Sequence, residues 1–251
     1  MPGPAWIVLP TYCEAENLEP MADALRAALP ADARILVVDD ASPDGTGAIA
    51  DRLAAADPRV AVLHRAGKQG LGPAYVAGFG HALGQGAGAV VEMDCDFSHD
   101  PAVVPALLAA LDDGADLALG SRYVGGGRVE NWTAWRRAVS RGGCLYAQAV
   151  LRAPVRDLTG GFKAFRADAL HAIDYRTARA KGYAFQVELT YRALRRGLRV
   201  EEIPIVFRER ERGSSKMSAM IALEAAWLVP ALRYGRRREA RSGEPADVPM
   251  T

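Results

Sequence analysis

Through its first half the chain repeats one unit. A short, unbroken apolar run ends in polar residues and is followed by a helix-periodic stretch. The runs are Ala5 to Leu9, Arg34 to Val38, Val60 to Leu63, Ala89 to Met93 and Asp116 to Leu119. Between them, helical patterns cover about Asn17 to Leu29, with Leu18, Met21, Leu25 and Leu29 on one face, then Asp44 to Ala56, Pro73 to Leu83 and Pro101 to Leu111. A run that is apolar at every position needs cover on both faces, and intervening amphipathic helices supply it. The pattern predicts an α/β fold with a mainly parallel central sheet and helices on both faces.

From Gly125-Gly126-Gly127 the rhythm changes. A long helix is expected at about Ala134 to Leu151, an irregular segment around Leu158 to Phe165, and a helix at roughly Ala184 to Arg196. Val200 to Phe207 reads as a strand that Pro204 confines to a sheet edge. A last helix is expected at about Met217 to Tyr234, so one domain spans residues 1–234 and residues 235–251 form a charged, Pro/Gly-bearing disordered tail.

The charge balance excludes some functions. With 31 basic and 30 acidic residues the net charge is +1, which gives no global drive toward nucleic acid, and none is expected as a partner. Cys13, Cys95 and Cys144 lie far apart with no CxxC pair, so neither a disulfide framework nor a thiolate zinc site is expected, and a reducing cytoplasm is the default. No uncharged apolar stretch reaches the ~18 residues of a spanning helix. Met1-Pro2-Gly3-Pro4 leads directly into an apolar run, unlike a signal peptide.

In an open parallel sheet, ligands bind at the carboxyl ends of the strands. Polar clusters stand at four of those ends: Thr11-Tyr12-Cys13-Glu14, Asp39-Asp40, Asp94-Cys95-Asp96 and Ser121-Arg122-Tyr123. Asp94-x-Asp96 is the sharpest, because two carboxylates so spaced past a buried strand can share a hard cation such as Mg²⁺ or Mn²⁺, with water and phosphate oxygens completing the shell. Asp100, before Pro101, reads as a helix cap instead. Around Asp39-Asp40, Ser42 and Asp44 suffice for the turn and cap, which leaves a carboxylate able to accept hydrogen bonds from a ribose or a base edge. Gly67-Lys68-Gln69-Gly70-Leu71-Gly72 lacks the spacing of a phosphate loop, and either closes over a nucleotide or caps the helix after it. Arg208 to Lys216 is a charged Gly/Ser loop, read as either a solvated connection or a lid that brings Arg and Lys onto a diphosphate.

Several segments together resemble family 2 glycosyltransferases of the GT-A fold, in particular polyprenyl (dolichyl) phosphate mannose synthases. They are Leu9 to Glu14, Val37 to Thr46, Gly67 to Tyr75, Met93 to Pro101, Gly120 to Tyr123, Asp157 to Phe162, Gly182 to Glu188 and Gly213 to Lys216, within about residues 5–232. The resemblance implies an inverting, metal-dependent transfer of mannose from GDP-mannose to a polyprenyl monophosphate. It implies that Pro10, Tyr12, Glu14, Val38 and Asp40 hold the guanosine. Asp94 and Asp96 would bind the metal, Mg²⁺ or Mn²⁺, and so the diphosphate, with Cys95 and Ser98 beside them. Arg122 would face the sugar and the acceptor phosphate, Arg136 and Arg141 would lie where the lipid phosphate docks, and Arg210 and Lys216 would come from the lid.

The chain departs from the family at Cys13 and Cys144, where Asn is usual, and at Cys95, where Ala is usual. Many relatives carry membrane-spanning helices after the catalytic domain, and none is read here. The 217–234 helix, followed by Arg236-Arg237-Arg238, is expected either to lie on a membrane surface, on the cytoplasmic, inner face, with its basic end toward anionic lipid, or to pack as a core C-terminal helix with a solvated tail. A separate membrane-anchoring protein is a candidate partner. The competing readings are another donor such as UDP-glucose, a nucleotide-sugar-binding regulator without turnover, and a nucleotidyltransferase. The last lacks the Gly-rich loop it needs after the first strand.

Overall fold

The structure, a computed structural model, describes residues 2–178, 180, 182–209, 227 and 229–234. Arg210, Lys216, the 235–251 tail and all of the 217–234 helix except residues 227 and 229–234 lie outside the described residues.

The expected alternation is present. Strands β1 (Ala5–Thr11), β2 (Arg34–Asp39), β3 (Val60–His64), β4 (Ala89–Glu92) and β5 (Leu117–Ser121) are separated by helices α1 (Ala15–Ala28), α2 (Thr46–Ala56), α3 (Leu71–Gly84) and α4 (Val104–Asp112). After β5 come β6 (Arg128–Val129), α5 (Ala134–Leu151), β7 (Lys163–Arg166), α6 (Ala167–Ala172), α7 (Tyr183–Arg195), β8 (Val200–Pro204) and β9 (Val206–Phe207). The main sheet has seven strands in the order β3-β2-β1-β4-β7-β5-β8, and β6 pairs with β9 in a small second sheet.

Along β1, Ile7 and Leu9 enter a core shared with Leu18, Met21, Leu25, Leu107 and Leu111 from α1 and α4. Trp6 and Val8 point the other way, toward Tyr75 and Phe79 of α3 and Phe185 and Leu189 of α7. Alternate residues thus bury opposite faces, which is why the run is apolar throughout. Gly78 lets α3 sit close on β1: a Cβ there would lie 2.4 Å from a Val8 methyl.

One part of the sequence reading needs correction. The segment expected to be irregular around Leu158 to Phe165 ends in β7, a central strand. It runs antiparallel to both β4 and β5, the one reversed member of the main sheet. The expected strand from Val200 to Phe207 is divided at Ile205 into β8, at the sheet edge as Pro204 requires, and β9.

Lys163 of β7 pairs in register with Glu92 of β4, and both side chains are fully buried. The ammonium lies 3.3 Å from the Glu92 carboxylate and donates to the main-chain oxygen (2.9 Å) and side-chain oxygen (2.5 Å) of Gln186 on α7. Burial pushes the Glu92 carboxyl up to about 7 even with Lys163 beside it, and pushes Lys163 down. Because the folded carboxyl holds its proton above the ordinary 4.5, its contribution to stability is complete below that value. It is lost as pH rises through about 7. Lys163→Met leaves that carboxylate without its cation. The substitution should cost about 3–5 kcal/mol at alkaline pH and clearly less near pH ~5, with Glu92→Gln added to it recovering most of the loss. Denaturant melts at the two pH values measure this, and a Lys163→Met protein as stable as the parent at alkaline pH contradicts it.

Candidate active site

Strands β2 and β3 lie to one side of β1 and β4 lies to the other, so the strand order reverses between β1 and β4. Their carboxyl ends open a crevice at the point where such sheets bind ligands. Three of the four predicted polar clusters stand at these ends, and hydrogen bonds stitch the loops after β1 and β2 together. Cys13 N–H donates to Ser42 Oγ (3.1 Å), Glu14 N–H to Thr46 Oγ1 (3.0 Å) and Ala15 N–H to Asp44 Oδ2 (3.1 Å). Cys13 and Ala41 hold left-handed backbone at φ 59° and 55°, a conformation that costs free energy for a residue with a side chain and is kept only where surrounding bonds enforce it.

The acidic residues after β2 separate by role. Asp39 accepts from Ser42 N–H (3.2 Å), Ser42 Oγ (2.5 Å) and Thr11 Oγ1 (3.3 Å), so it builds the turn. Asp44 accepts from the Thr46 amide and hydroxyl; burial alone would raise its carboxyl, but these bonds and that from Ala15 hold it below the usual value. Asp40 is left for the crevice. It forms a short ion pair with Arg65, whose other nitrogen donates to Gln69 Oε1 (2.9 Å). Three residues after Arg65, the Lys68 ammonium sits 3.9 Å from the centre of the Tyr12 ring. Of the two readings of the Gly-rich loop, the structure shows the helix start: Gly70 precedes α3 and takes the Ala74 N–H on its carbonyl (3.3 Å). Pro10 and Val38 are register partners across β1 and β2, with Val38 buried, and Glu14 accepts from Asn17 Nδ2 (2.7 Å).

After β4 the chain makes a tight loop. Asp96 Oδ1 accepts from Ser98 N–H (3.0 Å), and Phe97 takes φ 60°. Tyr75, fully buried, places its hydroxyl 3.4 Å from Asp94 Oδ1, and Asp94 N–H donates to His99 Nδ1 (3.2 Å). The Cys95 side chain is in the core, where burial pushes its thiol up, so residue 95 offers only backbone to the crevice. Ser98 is buried beside the pair, and Asp100 caps the next turn by accepting from Ala102 N–H (3.0 Å).

Among the described residues no cluster of three or more His, Cys, Asp or Glu side chains forms a protein-only metal cage. Two carboxylates spaced as Asp94 and Asp96 fit a hard cation that takes its remaining oxygens from water and phosphate, as Mg²⁺ and Mn²⁺ do.

The fourth cluster is arranged differently from the sequence expectation. The Arg122 guanidinium, expected to face sugar and phosphate, is buried and committed to Asp157, donating from Nε (2.7 Å) and Nη2 (2.6 Å), and also to Thr159 Oγ1 (2.8 Å). Its own amide donates to the same carboxylate (3.0 Å). Burial would lower Arg122 and raise Asp157, but each outweighs that for the other, so Arg122 is held above and Asp157 below its ordinary value. Tyr123, Trp132 and Phe207 face the guanidinium at 5.3–5.8 Å. Arg136 stacks over Trp132 (4.4 Å) and forms a short ion pair with Glu209, while Arg141 lies 4.7 Å from the Tyr123 ring centre. Arg210 and Lys216 lie outside the described residues. The sequence reading named no role for Asp157, Arg65, Tyr75 or His99. Asp157, Tyr75 and His99 stand within the resembling segments, but a motif does not reveal which side chain its acid or ring will meet.

Residues 6–174 match the profile of glycosyl transferase family 2. The chain is 50% identical to the polyprenol monophosphomannose synthase of Mycolicibacterium smegmatis over 89% of its own length and 84% of that protein's. It is 50% identical to the undecaprenyl-phosphate mannosyltransferase of Micrococcus luteus over 91% and 92%. The dolichol-phosphate mannosyltransferase of Pyrococcus furiosus is 35% identical over 87% of this chain, which spans 60% of that protein. Among solved structures, the glucosyl-3-phosphoglycerate synthase of Mycobacterium tuberculosis with Mn²⁺, UDP-glucose and phosphoglyceric acid superposes with a TM-score of 0.70 at 19% identity, over 93% of this chain and 79% of that one.

Asp157→Asn should weaken both strong bonds to Arg122 and leave a buried cation without its counter-ion. A loss of about 3–5 kcal/mol in a denaturant melt is expected, and a melt unchanged from the parent contradicts the pairing.

Proposed function

Because the chain belongs to glycosyltransferase family 2 and has the GT-A fold, we propose that it transfers mannose from GDP-mannose to the phosphate of a polyprenyl monophosphate, with inversion at the anomeric carbon. One observation carries this reading: over nine-tenths of its length the chain is half identical to proteins named for mannosyl transfer to polyprenyl monophosphates. The crevice geometry supports it, since an acidic pair suited to a cation adjoins a loop pair suited to a nucleoside.

The acceptor is a phosphate, already anionic at neutral pH, so no strong base is needed to create the nucleophile. One of its oxygens attacks the anomeric carbon while the bond from that carbon to the diphosphate breaks, its electron pair leaving on GDP. What limits such a reaction is the approach of two anions and the charge on the departing diphosphate. A divalent cation held by Asp94 and Asp96, with Ser98 beside them, would supply Lewis-acid neutralisation of that diphosphate. Asp40, Glu14, Tyr12, Pro10 and Val38 would orient the guanosine. Arg136 would meet the acceptor phosphate by exchanging Glu209 for it. Arg122, its charge balanced by Asp157, would hold the crevice wall around Tyr123, Trp132 and Phe207 in place, and Arg210 and Lys216 would add positive charge.

The acceptor lipid calls for a peripheral membrane position, proposed here on the inner face of the cell membrane. No helix among the described residues is long and apolar enough to cross a bilayer. Helix α5 exposes Trp135 (78%), Val139, Leu145 and Tyr146, and Trp227 is 82% exposed; aromatic residues of this kind favour the headgroup region. A separate anchoring protein remains a proposed partner.

Purified protein supplied with radiolabelled GDP-mannose or UDP-glucose, with or without polyprenyl phosphate and Mn²⁺, tests the reading. Mannolipid should form only with GDP-mannose, lipid and metal together. Asp96→Asn should lower turnover by about 10³-fold, the effect of losing several kcal/mol of charge stabilisation, with the melt unchanged. Equal use of UDP-glucose contradicts the donor, and near-normal turnover by Asp96→Asn contradicts the metal assignment.

A further inference from the structure

His99 follows the acidic pair in sequence, and its ring is 3% exposed. It lies nearly parallel to Phe162 (centroids 4.9 Å apart, planes at 17°) and edge-on to Phe207 (5.5 Å, 73°). An imidazole is a poor choice for such a place on packing alone. Phenylalanine would stack as well, and a buried polar ring costs free energy unless its nitrogens are bonded. The bond that answers this cost is to the main chain of the metal pair itself: Asp94 N–H donates to Nδ1 at 3.2 Å. Accepting at Nδ1 places the ring proton on Nε2. The loop from residue 94 to residue 99 is thereby closed on itself. Asp94 is tied at its amide to His99, and the Asp96 carboxylate takes the amide of Ser98. The ring in turn is clamped by Phe162, just before β7, and by Phe207 of β9.

We propose that His99 is a positioning residue for the metal pair: by accepting the Asp94 amide from a ring locked between Phe162 and Phe207, it fixes the backbone from which Asp94 and Asp96 present their carboxylates to one divalent cation. The proposal rests on the reading of that pair as a metal site. It assigns His99 no contact with metal or substrate. Groups that hold first ligands in place in this manner change metal affinity by about 10–100-fold when removed.

Two substitutions separate the hydrogen bond from the packing. His99→Phe keeps the aromatic stack and loses the acceptor. His99→Asn loses the stack but keeps an acceptor oxygen at the Nδ1 position. Mn²⁺ retention in the presence of GDP, followed by electron paramagnetic resonance, needs no turnover, and thermal melts without metal report packing separately. His99→Phe should weaken Mn²⁺ binding by about 10-fold or more, with KM for metal raised in the same proportion. His99→Asn should bind Mn²⁺ nearly as the parent does even where it melts lower. Where the phenylalanine variant does not fold, His99→Gln, whose amide falls at the Nε2 position, takes its place with the same expectation. Parent-like Mn²⁺ binding by His99→Phe, or equal losses in the Phe and Asn variants, overturns the proposal. A parent protein that retains no Mn²⁺ with GDP overturns the metal reading beneath it, a result distinct from either.

Discussion

The reversed strand β7 organises the half of the molecule that holds Arg122 and its neighbours. It lies between β4 and β5, and Lys163 holds it there through Glu92 on one side and Gln186 of α7 on the other. A buried ammonium and carboxylate each carry a desolvation cost that only close pairing offsets, so register here is strongly specified: a one-residue slip would separate them and leave two unpaired charges in the core. The reward for that register lies just upstream of Lys163. The connection into β7 sets Asp157 and Thr159 under Arg122 and Phe162 under His99.

Two ends of one crevice are thus built by different means. Around Asp40, loops after β1 and β2 are joined by main-chain donors and short polar side chains, and Asp39 and Asp44 are used up in that joining. Asp40, facing Arg65, is the carboxylate left on the ligand side. Around Trp132 and Phe207, arginines lie on aromatic faces and pair with buried or half-buried acids. Guanidinium groups suit this because their flat faces tolerate ring contact while their edges keep hydrogen-bonding capacity.

Much of this was legible in the sequence, and the reasons differ by element. β1 to β5 declared themselves as short, mostly apolar runs, which burial on both faces requires of β1, β2, β4 and β5 but not of the half-exposed edge strand β3, and α5 matched its expected bounds of Ala134–Leu151. The ends of β1, β2 and β4 located the crevice because parallel sheets bind there. β7 was not legible: a strand of four residues that begins with a lysine carries no periodic signal, and its cation makes sense only beside Glu92, seventy-one positions earlier in the chain. Arg122 stood out in the sequence as a candidate site residue, but its commitment to Asp157 is a tertiary fact that no local pattern encodes. Asp39 and Asp40 are neighbours of identical type, and only the positions of Ser42, Thr11 and Arg65 distinguish the one that builds the turn from the one that pairs with Arg65.

A crystal of the protein grown with GDP and Mn²⁺ and measured at the manganese absorption edge brings these strands of reasoning to one observation. The anomalous peak should lie between the Asp94 and Asp96 carboxylates and the diphosphate, with the guanosine against Tyr12 and Asp40. A peak away from both carboxylates, or a nucleotide bound with neither the peak nor those contacts, would contradict the site described.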